Sequence, residues 1–153
     1  RNSVLELNRL CLLNNKKNQA SFLVGNSLKL LPKPSIIVSY ADTKMNHHGY
    51  IYQATNFIYT GLSIKQSDWV LINSNKHGKT ISEQYTLEER KNNPDKFKIV
   101  QRSRKHRYIY FLGDKKQKKE MLGKLNYNIE PYPKGDNKNY EVGHKPTVQG
   151  LLF

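Results

Sequence analysis

Short apolar runs alternate with spaced apolar stripes along this chain, and that alternation of strand-like and helix-like patterning is the signature of an α/β layer architecture. Residues 3–13 (SVLELNRLCLL) read as a buried strand. A polar loop at 14–19 (NNKKNQ) feeds a periodic segment over 20–31. There Phe22, Leu23, Leu28, Leu30 and Leu31 supply an inward helical stripe before Pro32 and Pro34 stop it. Residues 35–40 (SIIVSY) are short and β-branched and read as a second buried strand. After a loop at 41–48, Ile51, Ala54, Thr55 and Ile58 recur at helical spacing within 49–59, and Gly61 provides a C-terminal stop.

Residues 68–73 (DWVLIN) give a third strand and 82–92 (SEQYTLEERKN) a short polar helix ended near Pro94. Residues 97–100 and 107–112 read as two strands, or a strand and a hairpin arm, with a basic connection between them. Asp114 is placed to cap a last helix over 115–125, with Met121, Leu122 and Leu125 inward and Lys115, Lys116, Lys118 and Lys119 toward water. From Asn126 the chain is rich in Pro, Gly, Asn and Tyr and is expected to lie extended on the surface. The predicted division is an α/β domain over 1–125 and an extended C-terminal tail over 126–153.

Composition narrows the class. A length of 153 residues fits one domain, and 37% hydrophobic with 10% aromatic residues is enough for a core, which excludes disorder of the whole chain. Cys11 is the single cysteine, so an intrachain disulfide and a C-x-x-C zinc or redox site are excluded by arithmetic, and a reducing interior fits. No apolar run approaches the roughly 18–20 residues that span a bilayer, and no signal pattern opens the chain, so a soluble, cytoplasmic protein is expected. Arg1 stands where a methionine would begin a translated chain, and the expectation is that a segment has been removed upstream.

Charge changes the picture most. Twenty-six Lys and Arg against 12 Asp and Glu leave +14, a field that concentrates polyanions, of which nucleic acid is the cleanest match. A membrane surface is the competing polyanion, but no strongly apolar outward face accompanies the basic residues. The stretch 102–107 (RSRKHR) gathers Arg102, Arg104, Lys105 and Arg107 around His106 and is the best-placed phosphate contact, whereas Lys115 to Lys119 read as a solvated helix face. About six such contacts would give a log–log salt slope of roughly −5, blind to sequence. Ten tyrosines, several beside the basic segments, suit an unstacked base. Tyr108 and Tyr110 read more simply as alternating with Ile109 and Phe111 across a strand.

Three places can carry chemistry. The 14–19 loop presents backbone N–H groups at a helix N-terminus, with Lys16 and Lys17 alongside, a setting that suits a phosphate or pyrophosphate; Asn18 or Ser21 equally serves as an ordinary cap. Asp42 stands just past the second strand, at the carboxyl end where α/β sheets place ligands, and Tyr52 lies in the first turn of the next helix. An aspartate there can orient or deprotonate an exocyclic amine, and a tyrosine can protonate a thiolate leaving group. The plain alternatives are an Asx cap for Asp42 and a half-buried helix position for Tyr52. His47 and His48 are adjacent and point apart on most backbones; one of them can join Asp42 as ligand or base, but His77, His106 and His144 are scattered and no metal spacing is present.

The succession ELNRLCL, NNKKNQASFLVGNSLKLL, IIVSYADT and HHGYIYQATNFIYTGLS, followed by RKHRYIYFLG and PYPKGD, resembles the Mom family of phage DNA adenine-modification proteins, which are similar to GCN5-related N-acetyltransferases. The resemblance implies a mixed sheet flanked by helices, with the N-terminal part of that fold missing and its edge covered by a partner chain or a removed segment. It implies that acetyl-coenzyme A or a related acyl donor is held by the loop before the helix from Ala20. The acetyltransferase pattern Gln/Arg-x-x-Gly-x-Gly/Ala falls on Asn15, Asn18 and Ala20, so the first expected glycine is an asparagine. Lys16, Lys17 and Ser21 complete the implied donor site, and Asp42 and Tyr52 fall on the family's active-site positions.

The implied activity is conversion of the adenine N6 amino group of double-stranded DNA to a carbamoylmethyl derivative, which shields phage DNA from host restriction in the bacterial cytoplasm. A simple acetyl transfer does not by itself give that product. Two further readings stand beside this one: a non-catalytic nucleic-acid-binding module that kept the fold, and acylation of RNA or a small amine.

Overall fold

A computed structural model describes residues 3–13 and 16–135. Its elements are β1 (Ser3–Glu6), α1 (Gln19–Lys29), β2 (Ser35–Asp42), a 3₁₀ turn (Thr43–Met45), α2 (Tyr50–Ala54), β3 (Ile58–Leu62), β4 (Ser67–Leu71), α3 (Gly78–Gln84), α4 (Leu87–Asn92), β5 (Phe97–Gln101), β6 (Lys105–Leu112) and α5 (Lys115–Gly123). They fall into two compact units, Ile64–Arg104 and the remainder, so the stretch expected as one domain over 1–125 carries a second unit within it.

The larger unit is a mixed four-stranded sheet in the order β1-β2-β6-β3. β1 runs parallel to β2, while β6 is antiparallel to both β2 and β3. The pleat sends alternate residues to opposite faces. On one face Ile37, Ala41, Tyr59, Tyr108 and Leu112 pack with Phe57 and with Val24 and Leu28 of α1. On the other, Ile58, Ile109 and Phe111 pack against Met121 of α5, with Leu122 and Leu125 alongside. Burial of a ring such as Phe57, which is fully enclosed, is worth roughly 1.5–3 kcal/mol. Tyr108 and Tyr110 alternate with Ile109 and Phe111 as the pattern predicts.

Several elements differ from the sequence expectation, each for a local reason. The opening strand is four residues long and lies at the sheet edge, exposed at three of its four positions; after Leu7, whose N–H still donates to Val38 O at 2.9 Å, the chain leaves the sheet. In α1 the buried stripe is Val24 and Leu28, four residues apart, whereas Phe22 and Leu30 point away at 73% and 87% exposure. α2 stops after five residues. Thr55 Oγ1 bonds back to Ile51 O at 2.8 Å and Asn56 turns left-handed at φ 61°, reversing the chain into β3 and placing Ile58 in a strand. Gly61, expected to end a helix, sits in β3 at φ 79°, where the pairing register shifts between Tyr59 and Leu62.

The smaller unit pairs β4 antiparallel with β5, Ser67 opposite Gln101 and Leu71 opposite Phe97. Ile81 and Phe97 are buried, and Tyr85 meets Phe97 edge-on at 5.0 Å. The polar helix expected over 82–92 is two helices, because Tyr85 is extended and Thr86 starts α4 with a capping box to Glu89. α5 opens with the Asp114 cap that its sequence announces, reciprocated by Gln117. Among the described residues, no helix is long and apolar enough to cross a membrane. Residues 126–135, the described part of the predicted tail, form neither helix nor strand, and 136–153 lie outside the described residues.

Candidate functional site

Three pieces of the larger unit converge on a cluster of rings: the carboxyl end of β2, the amino end of β6 and α2. Tyr108 is fully buried and its ring centroid lies 5.3 Å from that of Tyr52 and 5.2 Å from that of Tyr59. Two residues earlier on the same face, His106 meets Tyr59, with His106 Nδ1 2.8 Å from Tyr59 Oη, and its ring is 5.7 Å from His48. His48 in turn is 5.8 Å from Tyr50. The residues thus form a continuous path of rings from Tyr52 in the core to His48 and Tyr50.

Hydrogen bonds fix this path. The Tyr108 hydroxyl donates to His48 O, and the two N–H groups of Gln53 Nε2 are shared among Tyr108 Oη at 3.0 Å, His48 O at 2.9 Å and Pro133 O at 3.2 Å. Gly49, left-handed at φ 73°, caps α2 directly over Tyr108, where a Cβ would overlap the ring. The 126–135 segment closes over the cluster: Tyr132 donates to Phe57 O at 2.7 Å, and Gly135 N–H donates to Tyr50 Oη at 2.9 Å with its Cα against the His48 ring. Burial pushes the Tyr108 and Tyr132 hydroxyls above the usual phenol range. Burial first, and the neighbouring His48 second, hold His106 below the ordinary histidine value. The cluster therefore favours neutral rings, with both valences of the Tyr108 hydroxyl spent on structure.

The residues expected from sequence are placed as follows. Tyr52 is half-buried within the cluster, between Phe57 and Tyr108. Asp42 ends β2 and accepts the Lys44 N–H at 2.9 Å, the Asx cap of the 3₁₀ turn. In the β2–β6 register Ala41 opposes His106 and Asp42 opposes Lys105, so Asp42 belongs to the sheet face of Tyr40, Lys105 and Arg107. Tyr52 packs against the other face. The sheet puts His106 on the face of Tyr52, two rings away through Tyr59 and Tyr108, and does not bring Asp42 there. His106 lies within the RSRKHR stretch, and its place in the cluster follows from pleat parity with Tyr108, a signal legible only once the strand is known to begin at Lys105.

Of the donor-loop residues, Asn15 lies outside the described residues. Lys16 and Lys17 are exposed, Asn18 precedes α1 in the left-handed conformation at φ 63°, Ala20 is in the first turn, and Ser21 Oγ donates to Asn18 O at 3.0 Å. Asparagine is the non-glycine residue that best tolerates that backbone, so the substitution for the expected glycine preserves the turn. Asn18 and Ser21 border a groove of about 470 Å³ that runs past Gly25 to Thr55, Asn56 and Tyr110. A second, apolar trough of about 460 Å³ lies between the 5–11 stretch and α1, lined by Leu5, Leu7, Leu10, Val24 and Ile37.

The basic cluster divides by role. Arg102 pairs with Asp68 at 2.5 Å in the smaller unit. Arg107 donates through Nε to Thr60 Oγ1 at 2.9 Å and through Nη2 to Thr60 O at 2.8 Å, with Tyr127 stacked 3.4 Å from the guanidinium. Arg104 is half-buried, and Lys105 is exposed. Among the described residues, no three His, Cys, Asp or Glu side chains gather as a metal-binding group.

The fold and this ring-lined end of the sheet define a mixed α/β protein with a built polar and aromatic centre. The family model of the Mom protein family matches residues 1–134, and the chain belongs to that family, which implies a DNA-modifying function. No curated protein matches the chain.

Proposed function

We propose that this protein is a phage DNA-modification enzyme that converts the adenine N6 amino group to a carbamoylmethyl derivative on a GCN5-related N-acetyltransferase-like sheet; an acyl-coenzyme A type donor by itself forms an N6 amide and releases its thiolate, so the amide nitrogen of the product comes from a further amine co-substrate. The observation that carries the reading is the early end of β1 beside the longer parallel β2. β1 ends at Glu6 while β2 continues to Asp42, with Ser39 Oγ still reaching Leu7 O at 2.7 Å. The apolar trough beside this strand end suits a thioester arm, and the groove at Asn18 and Ser21 suits the pyrophosphate, with Lys16 and Lys17 as its cations. Arg102, Arg104, Lys105 and Arg107 contribute to the field that holds double-stranded DNA, the first and last while also bracing the fold.

In this reading Tyr52 is the proton donor to the leaving thiolate, and Asp42, which ends β2 on the opposite face of the sheet, is the carboxylate that orients the amine from the end of that strand. Expression of the complete protein in bacteria, with mass spectrometry of digested DNA, tests the activity: modified adenine is expected, lost with Tyr52→Phe and Asp42→Asn. Unchanged adenine alongside soluble protein overturns it.

A second reading, a nucleic-acid-binding module without catalysis, is favoured by the pleat, which assigns Asp42 and Tyr52 to opposite faces. Calorimetry with acetyl-coenzyme A separates the two. A binding module has no need of a donor and gives no heat.

A further inference from the structure

Arg107 is held more rigidly than a surface cation requires. Its two bonds to Thr60, a residue 3% exposed, lock the guanidinium plane, and Tyr127 covers one face of it. These contacts use two of its five N–H donors, and among the described residues the other three make no bond. Directly across the β2–β6 pair stands Tyr40, the register partner of Arg107 on the same sheet face. Paired residues in such a ladder hold their Cβ atoms about 4.5–5.5 Å apart, but the guanidinium turns toward Thr60 on β3, the far side of β6 from Tyr40.

Tyr127 is 48% exposed and Tyr40 38% exposed. The stack of Tyr127 on Arg107 also anchors the segment that follows β6 and α5. Tyr40 has no such explanation: among the described residues its side chain makes neither a hydrogen bond nor a ring contact. The next pair along the same face is Asp42 with Lys105, whose side chain is exposed. A fixed cation stacked on one half-exposed ring, with a second half-exposed ring opposite it on the next strand and a lysine one step further along, matches the chemistry of single-stranded nucleic acid, in which a flat base alternates with a phosphate. The overall charge of +14 excludes a basic partner.

We infer that Tyr40, Arg107 and Tyr127 form a stacking platform for an unpaired nucleobase, with Lys105 meeting the adjoining phosphate. The platform deepens the DNA-modification reading and rests on it for the identity of the polymer. Unlike the phosphate contacts of the basic field, its binding depends on the presence of a base.

The test is fluorescence anisotropy of the full chain with a labelled single-stranded oligothymidine and with an abasic strand of equal length and charge. The wild-type chain is expected to prefer the base-bearing strand. Tyr40→Ala is expected to lose roughly 5- to 150-fold on that strand, the range of one stacked base, with little change on the abasic strand or in the salt slope, while Tyr40→Phe retains affinity. Lys105→Ala is expected to weaken both strands together and reduce the salt slope by about one. Thermal midpoints check that Tyr40→Ala remains folded, which an exposed position allows. Equal affinity for the two strands, or an equal loss on both with Tyr40→Ala, overturns the platform. Base-dependent binding without adenine modification in cells leaves the platform standing and removes the enzyme; modification that Tyr40→Ala does not alter, with unchanged binding, does the reverse.

Discussion

Tyr59 Oη and His106 Nδ1 stand 2.8 Å apart although 47 residues separate them in the chain. Tyr59 opposes Tyr108 and Leu62 opposes His106, so three steps along β3 match two along β6. The bulge that absorbs the difference, with Gly61 left-handed beside it, sets the geometry of this contact.

The His106 ring sits among His48, Tyr59 and the body of the sheet, and it favours the neutral form. Its folded value lies below the ordinary 6.5, so below 6.5 the unfolded chain binds the proton first. Stability from this residue is fully present above 6.5 and is lost as pH falls from there through the folded value. An NMR titration of the His106 ring is expected to show a midpoint below 6.5, and His106→Gln to weaken the fall in the urea midpoint between neutral and mildly acid pH. A midpoint at or above 6.5 contradicts the burial account.

Gly49 carries two constraints at once, a left-handed backbone and the Tyr108 ring beneath it. Gly49→Ala is expected to destabilise the fold by at least about 1–2 kcal/mol from the backbone alone, with the displaced ring adding to that. Gly25, where a Cβ meets nothing within 4 Å, is the internal control: Gly25→Ala, in the middle of α1, is expected to gain roughly 0.5–1 kcal/mol. Chemical denaturation of both variants measures the contrast.

Gln53 ties α2 to Tyr108 and to the 131–135 stretch through one amide. Gln53→Leu leaves Pro133 O and Tyr108 Oη without their donor, and a cost of about 1–3 kcal/mol is expected. Hydrogen exchange gives a local readout. The Gly135 amide, which donates to Tyr50, is expected to exchange faster in the variant while amides in the centre of β6 keep their relative protection. Unchanged exchange at Gly135 would show that the segment is held by Tyr132 and Tyr50 instead.

The pattern of the chain is sufficient for β2 and α5, where a β-branched run and an N-cap speak locally, and for the existence of α1 though not for its buried face, which is Val24 and Leu28. It fails at 49–59. Helical spacing there is real for one turn and a half, but the side chain of Thr55 and the left-handed Asn56 end the helix, and Ile58 gains more from a sheet core than from a fourth helical position. The opening strand is shorter than its pattern for a related reason: leucines at 5, 7 and 10 line a trough against α1 as well as they would line a strand.

Residue types alone brought out Asp42, Tyr52, the donor loop and the basic stretch at 102–107 as chemistry-bearing, and the succession of segments brought out the Mom family, because these are properties of neighbours in the chain. Which of them share a face was decided by tertiary structure. Pairing β2 with β6 put Ala41 opposite His106 and Asp42 opposite Lys105, and a strand's period of two then sent the histidine to the face of Tyr59 and Tyr52 and the aspartate to that of Tyr40 and Arg107. A register is a relation between segments more than sixty residues apart, fixed by burying rings on both faces of one sheet, and no local pattern contains it.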